Sequence, residues 1–395
     1  MKDRSATIAV ILFALASVAC SSSRMVDFAM GSAKSPASHR ALVVGDRTVL
    51  AGDMHCHVLP PDSAWHVSRE LPETLARAKK EDLDFVVLTP HVPARFFLDI
   101  EEREWVLRTQ RELRARIASL DPGGVVVIPG FEYTDRRYGH VGAGFADVEA
   151  VLANLGLDEA LARPEAFFER WLAAGGSLVV NHPVERPLPH APFSPLRHDL
   201  SWRAWSASPP ELPAEIAFIT HHALGVETYN TSITHLRDQY ILGDEERSLR
   251  EASMLVDRAA REQHRRIAHV GGSDSHGSWL LPTTYVLAKE KSASAIRAAI
   301  AEGRTCVRGP EACTFELRSA EGPWVGVGGA IAKGGALEAR ASAGDLVVLV
   351  NGVATARAVK GQVARFDVPT DRCTMVRAMV GPLSWSSAIY VGCGF

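Results

Sequence analysis

This sequence lacks an excess of charge of either sign: 43 Lys and Arg stand against 46 Asp and Glu, a formal net charge of -3 over 395 residues. It also lacks a basic block, since nothing longer than Arg136-Arg137 or Arg265-Arg266 occurs. Phosphate backbones demand a basic face, so no nucleic-acid partner is expected, and those arginine pairs read as solvated helix or loop charges. There is no internal repeat, which argues against a solenoid or propeller. The apolar run from Ala6 to Ala19 is too short to span a bilayer comfortably. Cysteine is scarce, at six.

What is present is the composition of a folded globular chain, 47% hydrophobic and 23% charged, long enough for one large domain and a small one. Residues 1–20 read as an export signal: Lys2 and Arg4, the apolar run, then small residues leading to Cys20 and three serines. Ser17-Val18-Ala19-Cys20 resembles the bacterial lipobox, which implies lipidation at Cys20, followed by a polar tether over 21–47. The expected location is therefore the cell envelope, as an outer-membrane lipoprotein facing the periplasm or the exterior, with the membrane touched only through that anchor. Outside the cytosol disulfides persist. Cys306 with Cys313 and Cys373 with Cys393 are candidate pairs by position, leaving Cys56 free, although spacing does not establish connectivity.

The stretch Gly52-Asp-Met-His-Cys-His-Val-Leu-Pro-Pro-Asp62 follows a short apolar run. Residues two apart on a strand share a face, so His55 and His57 aim both imidazoles at one point while Cys56 turns into the core. Asp62 returns over the strand end after the Pro-Pro turn. From there strands and helices alternate: a helix over Leu71–Lys80, a buried strand over 84–89 ending near His91, a helix over 99–119, and a strand over 125–128 followed by Glu132. His140 lies in a short strand, helices follow from 146 to 174, and the strand 177–180 leads into His182. Prolines crowd 183–213, read as a lid or pocket wall, or equally as a solvated excursion. A helix over 245–263 and a strand over 267–272 lead to Asp274 and His276, which repeat the spacing of the first pair. Alternation of this kind makes a parallel sheet, and strands closed into a barrel gather their C-terminal ends at one mouth. Beyond Gly309-Pro310 short alternating runs between Gly and Asn-Gly turns indicate a small β-sandwich over 311–395.

Collected, the strand-end residues are His55, His57, Asp62, His91, Glu132, His140, His182, Asp274 and His276. Six imidazoles and three carboxylates exceed the needs of one ion, so two or three divalent metals are expected, with Zn, Mn and Fe all suited. Such a cluster acidifies a bridging water to hydroxide and withdraws charge from substrate oxygens, which is hydrolytic chemistry.

The ordered set His-x-His, Asp, Thr-x-His, Gly-x-Glu, Gly-His, Asn-His-Pro and Ser-Asp-Ser-His resembles the PHP family, the polymerase and histidinol phosphatase superfamily, over 48–310. The trailing β domain, with Gly303-Arg304 and Val350-Asn351-Gly352, is similar to the secreted branch related to carbaryl hydrolase. The resemblance implies an α/β fold, a distorted (β/α)7 TIM-like barrel, and three metals. His55, His57, Glu132 and Asp274 would hold the first ion, Glu132, His140 and His182 the second, and Asp62, His91 and His276 the third. Two departures stand out: Thr89-Pro90-His91-Val92 where the family commonly has Thr-Asp-His-Asn, and Pro61-Asp62-Ser63 where it has Ser-Asp-Gly.

The expected activity is a metal-dependent phosphoesterase acting on a small-molecule substrate, with Glu132, Asp274, His276 and Arg304 as its catalytic residues. Arg304 could clamp a phosphate oxygen, or cap a helix end. Glu227 could stand behind the ligands or in a salt bridge at the barrel rim. The alternatives are a carbamate, ester or amide hydrolase with the same centre, which a pocket of Trp202, Trp205 and Trp279 would favour, and a non-catalytic metal-binding or recognition lipoprotein.

Overall fold

The computed structural model describes residues 42–188, 198–206, 211–277 and 279–395. Cys20, the export signal and the tether up to residue 41 lie outside the described residues, as does part of the proline-rich stretch. No described helix is long and apolar enough to cross a membrane.

The chain enters through a two-residue strand, Val43–Val44, that folds back on the start of β1 (Arg47–Cys56). From Val49 onward every residue of β1 is buried, because both faces meet a core: Val49 and Ala51 face the C-terminal strands, Leu50 and Met54 face Phe85 and Val270. Helix α1 (Leu71–Lys80) begins with Pro72 in its first turn and a reciprocal Glu70/Glu73 capping box, and ends in Lys79 and Lys80, which complement the helix dipole. Strand β2 (Phe85–Leu88) is wholly apolar and buried. Asp99 then caps α2 (Ile100–Ser119) by accepting the backbone N–H groups of Glu101 and Glu102. Strand β3 (Val126–Asp135) turns tightly into β4 (Gly139–Gly144). Helix α3 (Ala166–Ala173) follows two short helices and precedes β5 (Ser177–Val180). Helix α4 (Ala214–His222), β6 (Gly225–Asn230), a ten-residue π-helix over Ile233–Leu242, α5 (Arg247–Glu262) and β7 (Ala268–Gly272) complete the wall.

β1, β2 and β3 run parallel, β4 runs against β3 and β5, and β5, β6 and β7 are parallel again. The ring closes beyond β7, where Ser275 bridges Cys56 in parallel, Asp274 donates its N–H to the His55 carbonyl at 2.8 Å, and His57 donates to Ser275. Seven strands thus form the expected barrel, and its distortion lies in β4, which returns by a tight turn with no crossover helix. Outside the wall, β8 (Thr284–Ala288) pairs antiparallel with β1, α6 (Ala293–Ala301) follows, and β9 (Thr305–Val307) pairs with β8.

The C-terminal β domain is not a detached sandwich. Its first sheet contains β10 (Phe315–Ser319), β11 (Gly335–Ala341) and β14 (Val363–Val368). The second contains β12 (Leu346–Val350), β13 (Val353–Ala358), β15 (Thr374–Val380), β16 (Ser384–Ser386) and β17 (Ile389–Val391), and is joined to the barrel where β16 pairs with β9. One hydrophobic core crosses this seam, holding Tyr285 and Leu287 against Phe315, Val348, Val376 and Ile389. Disulfides link Cys306 to Cys313 and Cys373 to Cys393, and Cys56 is free and buried.

Candidate metal centre

All nine strand-end residues come together at the C-terminal mouth of the barrel. His55 and His57 lie on one face of the end of β1, where the pairing with β2 slips between Asp53 and Cys56, while Cys56 packs on the other face with Val58 and Leu71. Glu132 lies within β3, which extends well past the four apolar residues that mark it in the sequence. His140 opens β4 opposite Thr134. His182 and Asp274 follow β5 and β7 in left-handed backbone conformations, with φ of 26° and 50°. Such conformations are uncommon for residues with a Cβ and concentrate at functional sites.

The inner geometry is a set of imidazole nitrogens converging on two carboxylates. Nε2 of His55 lies 3.1 Å from Oε1 of Glu132 and 3.5 Å from Oδ1 of Asp274. Nε2 of His57 is 3.3 Å from the same Asp274 oxygen, and Nε2 of His91 is 3.4 Å from Oε2 of Glu132. Oε1 of Glu132 also meets Nδ1 of His140 at 3.2 Å and Nε2 of His182 at 3.5 Å, and accepts a hydrogen bond from the Asn181 amide at 2.8 Å.

A second layer of carboxylates stands behind these rings. Nδ1 of His55 meets Glu227 at 3.1 Å and Asp62 meets Nδ1 of both His57 and His91, while Nδ1 of His182 lies 3.3 Å from Glu185 without a hydrogen bond. A ring that donates from Nδ1 keeps its lone pair on Nε2. Yet the Nε2 atoms of His55 and His57 are only 3.2 Å apart, and both face carboxylate oxygens. Acceptors facing acceptors in a buried cavity need a cation among them. Three overlapping groupings of donors are close enough to hold an ion, with His55 and His57 each shared between two of them: His55, His57 and Asp274; His55, Glu132 and His182; and His57, His91 and His276. The donor set therefore fits divalent metal ions.

The protonation of the metal-free centre follows from the same crowding. Burial opposes a charged imidazole at His55, but Glu132, Asp274 and Glu227 outweigh it and raise the group well above its ordinary value. His57 is likewise opposed by burial but is raised to about 9 by its hydrogen bonds to Asp274 and Asp62, and His182 to about 9 by Glu132 and Glu185. Burial pushes Glu185 up to about 7. At Glu132, Asp62 and Asp274 the penalty of burial is overcome by surrounding imidazoles, and all three lie well below the carboxylate range. His276 falls to about 3 through burial and the neighbouring charge of His57.

The centre is open on one side. Most of its side chains are almost fully buried, but those of His91, His276 and Asp274 are 32%, 25% and 17% exposed.

Arg304 requires correction. It precedes β9 at the end of the barrel away from the mouth: its carbonyl accepts from Leu287, whose strand partner is Val49, and its guanidinium pairs with Glu302. His55 lies six positions beyond Val49 along β1, about 20 Å at strand rise, so Arg304 does not reach the centre. Asp62 also differs from the expected arrangement, lying on the outer nitrogens of two imidazoles. Trp202 and Trp205 are buried in the aromatic core that holds Phe131, Phe167 and Trp171, and Trp279 is buried with its carbonyl bound by Arg69. Glu185 and Asn230 were not singled out in the sequence. The first lies three residues past a ligand, a spacing that could have marked it; Asn230 donates to Glu227 at 3.0 Å and Asp274 at 3.3 Å, contacts made only by folding.

No family model matches the sequence, and no curated protein matches it. Among solved structures, the chain is similar to a two-domain protein from Bacteroides vulgatus containing a predicted PHP-like metal-dependent phosphoesterase, at 17% identity and a TM-score of 0.44, covering 91% of this chain and 100% of that one. It is also similar to PsfC from Pseudomonas syringae (17% identity, TM-score 0.36, 64% of this chain and 87% of that one). A third similar structure is the lesion-specific endonuclease Q from Pyrococcus furiosus (15% identity, TM-score 0.35, 70% and 64%).

Proposed function

We propose that this chain is a metal-dependent hydrolase. More narrowly, we propose a PHP-type phosphoesterase acting on a small-molecule substrate. The observation that carries the reading is the inward convergence of imidazole Nε2 atoms on Glu132 and Asp274, with a carboxylate fixed behind three of the rings. Divalent ions bound there would supply an acidified water as nucleophile and a positive field for the leaving oxygen. The remaining work belongs to the chain. Glu132, shared among four imidazoles, holds the donors in register. Asp274, oriented by Asn230, is the carboxylate beside the opening and meets Nε2 of His57. His276 has its Nδ1 tied to the Asp274 carbonyl at 2.9 Å, which presents Nε2 at the rim. That partial opening also favours a catalytic centre over a closed structural one.

The test is turnover by metal-reconstituted protein against phosphomonoesters, phosphodiesters including oligonucleotides, and aryl carbamates. Reaction with small phosphoesters is expected. Reaction with carbamates alone would replace the phosphoesterase reading, and cleavage of oligonucleotides in preference to small esters would replace the small-molecule one. Undiminished turnover by Glu132→Gln would remove the centre from catalysis altogether.

We also propose export and lipidation at Cys20. Two disulfides suit an oxidising compartment. A fatty-acid analogue should label the wild-type chain and not Cys20→Ala.

A further inference from the structure

We infer that Arg69 is a positioning residue for the open side of the centre, fixing from behind the barrel wall the turn that carries His276. The inference rests on the metal-dependent reading above and deepens it by naming what holds the rim in place. Arg69 stands two residues before α1, in a segment that joins the chain leaving β1 to the chain leaving β7. Its carbonyl accepts the N–H of Leu59 at 2.9 Å, and Ser68 beside it donates to the carbonyl of His276 at 2.9 Å. The side chain is almost fully buried. Nη2 donates to Sγ of Cys56 at 3.1 Å, on the face of β1 opposite His55 and His57. Nε donates to Oγ1 of Thr74 near the start of α1 at 2.9 Å, which aims the guanidinium. Nη1 then donates to the carbonyls of Gly277 at 2.7 Å and Trp279 at 2.6 Å, with Oγ of Ser275 3.0 Å away. Ser275 closes the ring by donating its hydroxyl to the Trp279 carbonyl.

His276 is thus held through three consecutive residues: the side chain of Ser275, its own carbonyl, and the carbonyl of Gly277. Its Nδ1 lies 2.9 Å from the Asp274 carbonyl and its ring stacks on His57 with centroids 4.0 Å apart, so a fixed backbone leaves the ring one placement. Charge points the same way. Among the described residues the other buried arginines each face a carboxylate, Arg237 that of Asp238, Arg308 that of Glu245 and Arg377 that of Asp257, whereas Arg69 faces none. A guanidinium buried without a counter-ion is costly. Here only the oxygens of the 275–279 turn, the Thr74 hydroxyl and the Cys56 thiol offset that cost. Turn and cation therefore form together. Lysine keeps the charge but, as a point donor on a flexible stem, does not reproduce the planar fork.

The experiment is a double-mutant cycle on the metal-reconstituted full chain, with 4-nitrophenyl phosphate as the probe. Arg69→Lys should lower turnover roughly 10- to 100-fold. Adding His276→Ala to it should cost nothing further, because both changes remove the same placement, whereas contacts that act independently multiply their losses. Ser275→Ala removes one acceptor and leaves the guanidinium in place, and it passes through the same cycle if the lysine variant does not fold. Diethyl pyrocarbonate labelling of the metal-free chain, mapped by mass spectrometry, gives a readout that needs no turnover. His276 should label several-fold faster in Arg69→Lys than in wild type, with His140 and His182 unchanged. Multiplied losses in the cycle, or an unchanged labelling rate at His276, overturn the inference while leaving the hydrolase reading intact. A wild-type chain that does not hydrolyse the ester overturns the phosphoesterase reading instead, and the labelling then decides the inference alone.

Discussion

His57 shows how metal and proton compete for one atom. Its folded-state value of about 9 lies above the ordinary 6.5, so in metal-free protein the charged ring stabilises the fold. That contribution is full below pH 6.5 and is lost as pH rises through 9. His182, raised to about 9 by a similar balance, behaves in the same way. An ion must displace these protons, so metal affinity should rise with pH across this window and level off above about 9. Two measurements check it: an indicator dye should report proton release when zinc is added near pH 7, and the melting temperature should fall between pH 6.5 and 9 in chelator but not in excess zinc. A metal affinity independent of pH would mean that the imidazoles do not bind through these nitrogens. The buried carboxylates work in the opposite direction. Asp274 is held far below its ordinary 3.8 by His55 and His57 despite burial, so its stabilising effect is present above pH 3.8 and lost in stronger acid. Asp274→Asn should therefore lower zinc binding and turnover together, the latter by a factor of about 100 or more.

Strand ends, more than helices, place the chemistry, and small residues there make room for it. A Cβ added to Gly272, the last residue of β7, would fall 1.9 Å from Oε1 of Glu227 and 2.4 Å from Cβ of His55. Gly272→Ala should consequently push Glu227 off His55, weakening zinc binding at least tenfold in equilibrium dialysis while circular dichroism stays native; unchanged affinity would show that Glu227 does not set the His55 ring. At this scale much was legible. Leu71–Lys80 and Ser177–Val180 fold over the residues their patterns mark, because each carries its own periodicity and boundary signals. The motif residues were legible as well, since polar groups just after buried apolar runs stand out. What was hidden depends on tertiary geometry. Strand β3 continues through Pro129 and Gly130 because β4 folds back along it, and the π-helix over Ile233–Leu242 has no distinctive pattern. Arg69 donates to the carbonyls of Gly277 and Trp279, more than 200 residues away, which no local reading reveals. Arg304 was misplaced because a guanidinium suits a phosphate oxygen, while its position just before β9 is fixed only by pairing with β8.

The barrel and the β domain stand or fall together, because the seam between them is built like an interior. At its centre Arg377 of β15, almost fully buried, pairs with Asp257 of α5, donates to the Ser253 carbonyl at 2.9 Å, and lies 2.9 Å from Nε2 of His269 on β7. Burial and the adjacent guanidinium hold His269 well below its ordinary value, so that ring is neutral and its Nε2 lone pair accepts from Arg377. Arg377→Met should leave Asp257 buried without its partner and cost about 3–5 kcal/mol, read as a drop in denaturation midpoint with zinc stoichiometry unchanged. Backbone links reinforce the pair: His269 donates its N–H to Ser387 at 2.8 Å, Ile267 donates to the Tyr390 hydroxyl at 3.0 Å, and β16 continues the sheet from β9. The strand that delivers Asp274 is therefore supported from the C-terminal domain. Truncation after Pro310 would strip the cover from Val49, Ala51, Tyr285 and Leu287 and leave β9 as an unpaired edge, a template for aggregation. The expected product is insoluble or rapidly proteolysed and takes up no zinc. A soluble, zinc-binding fragment ending at 310 would show instead that the barrel folds alone and that the shared core contributes little to the centre.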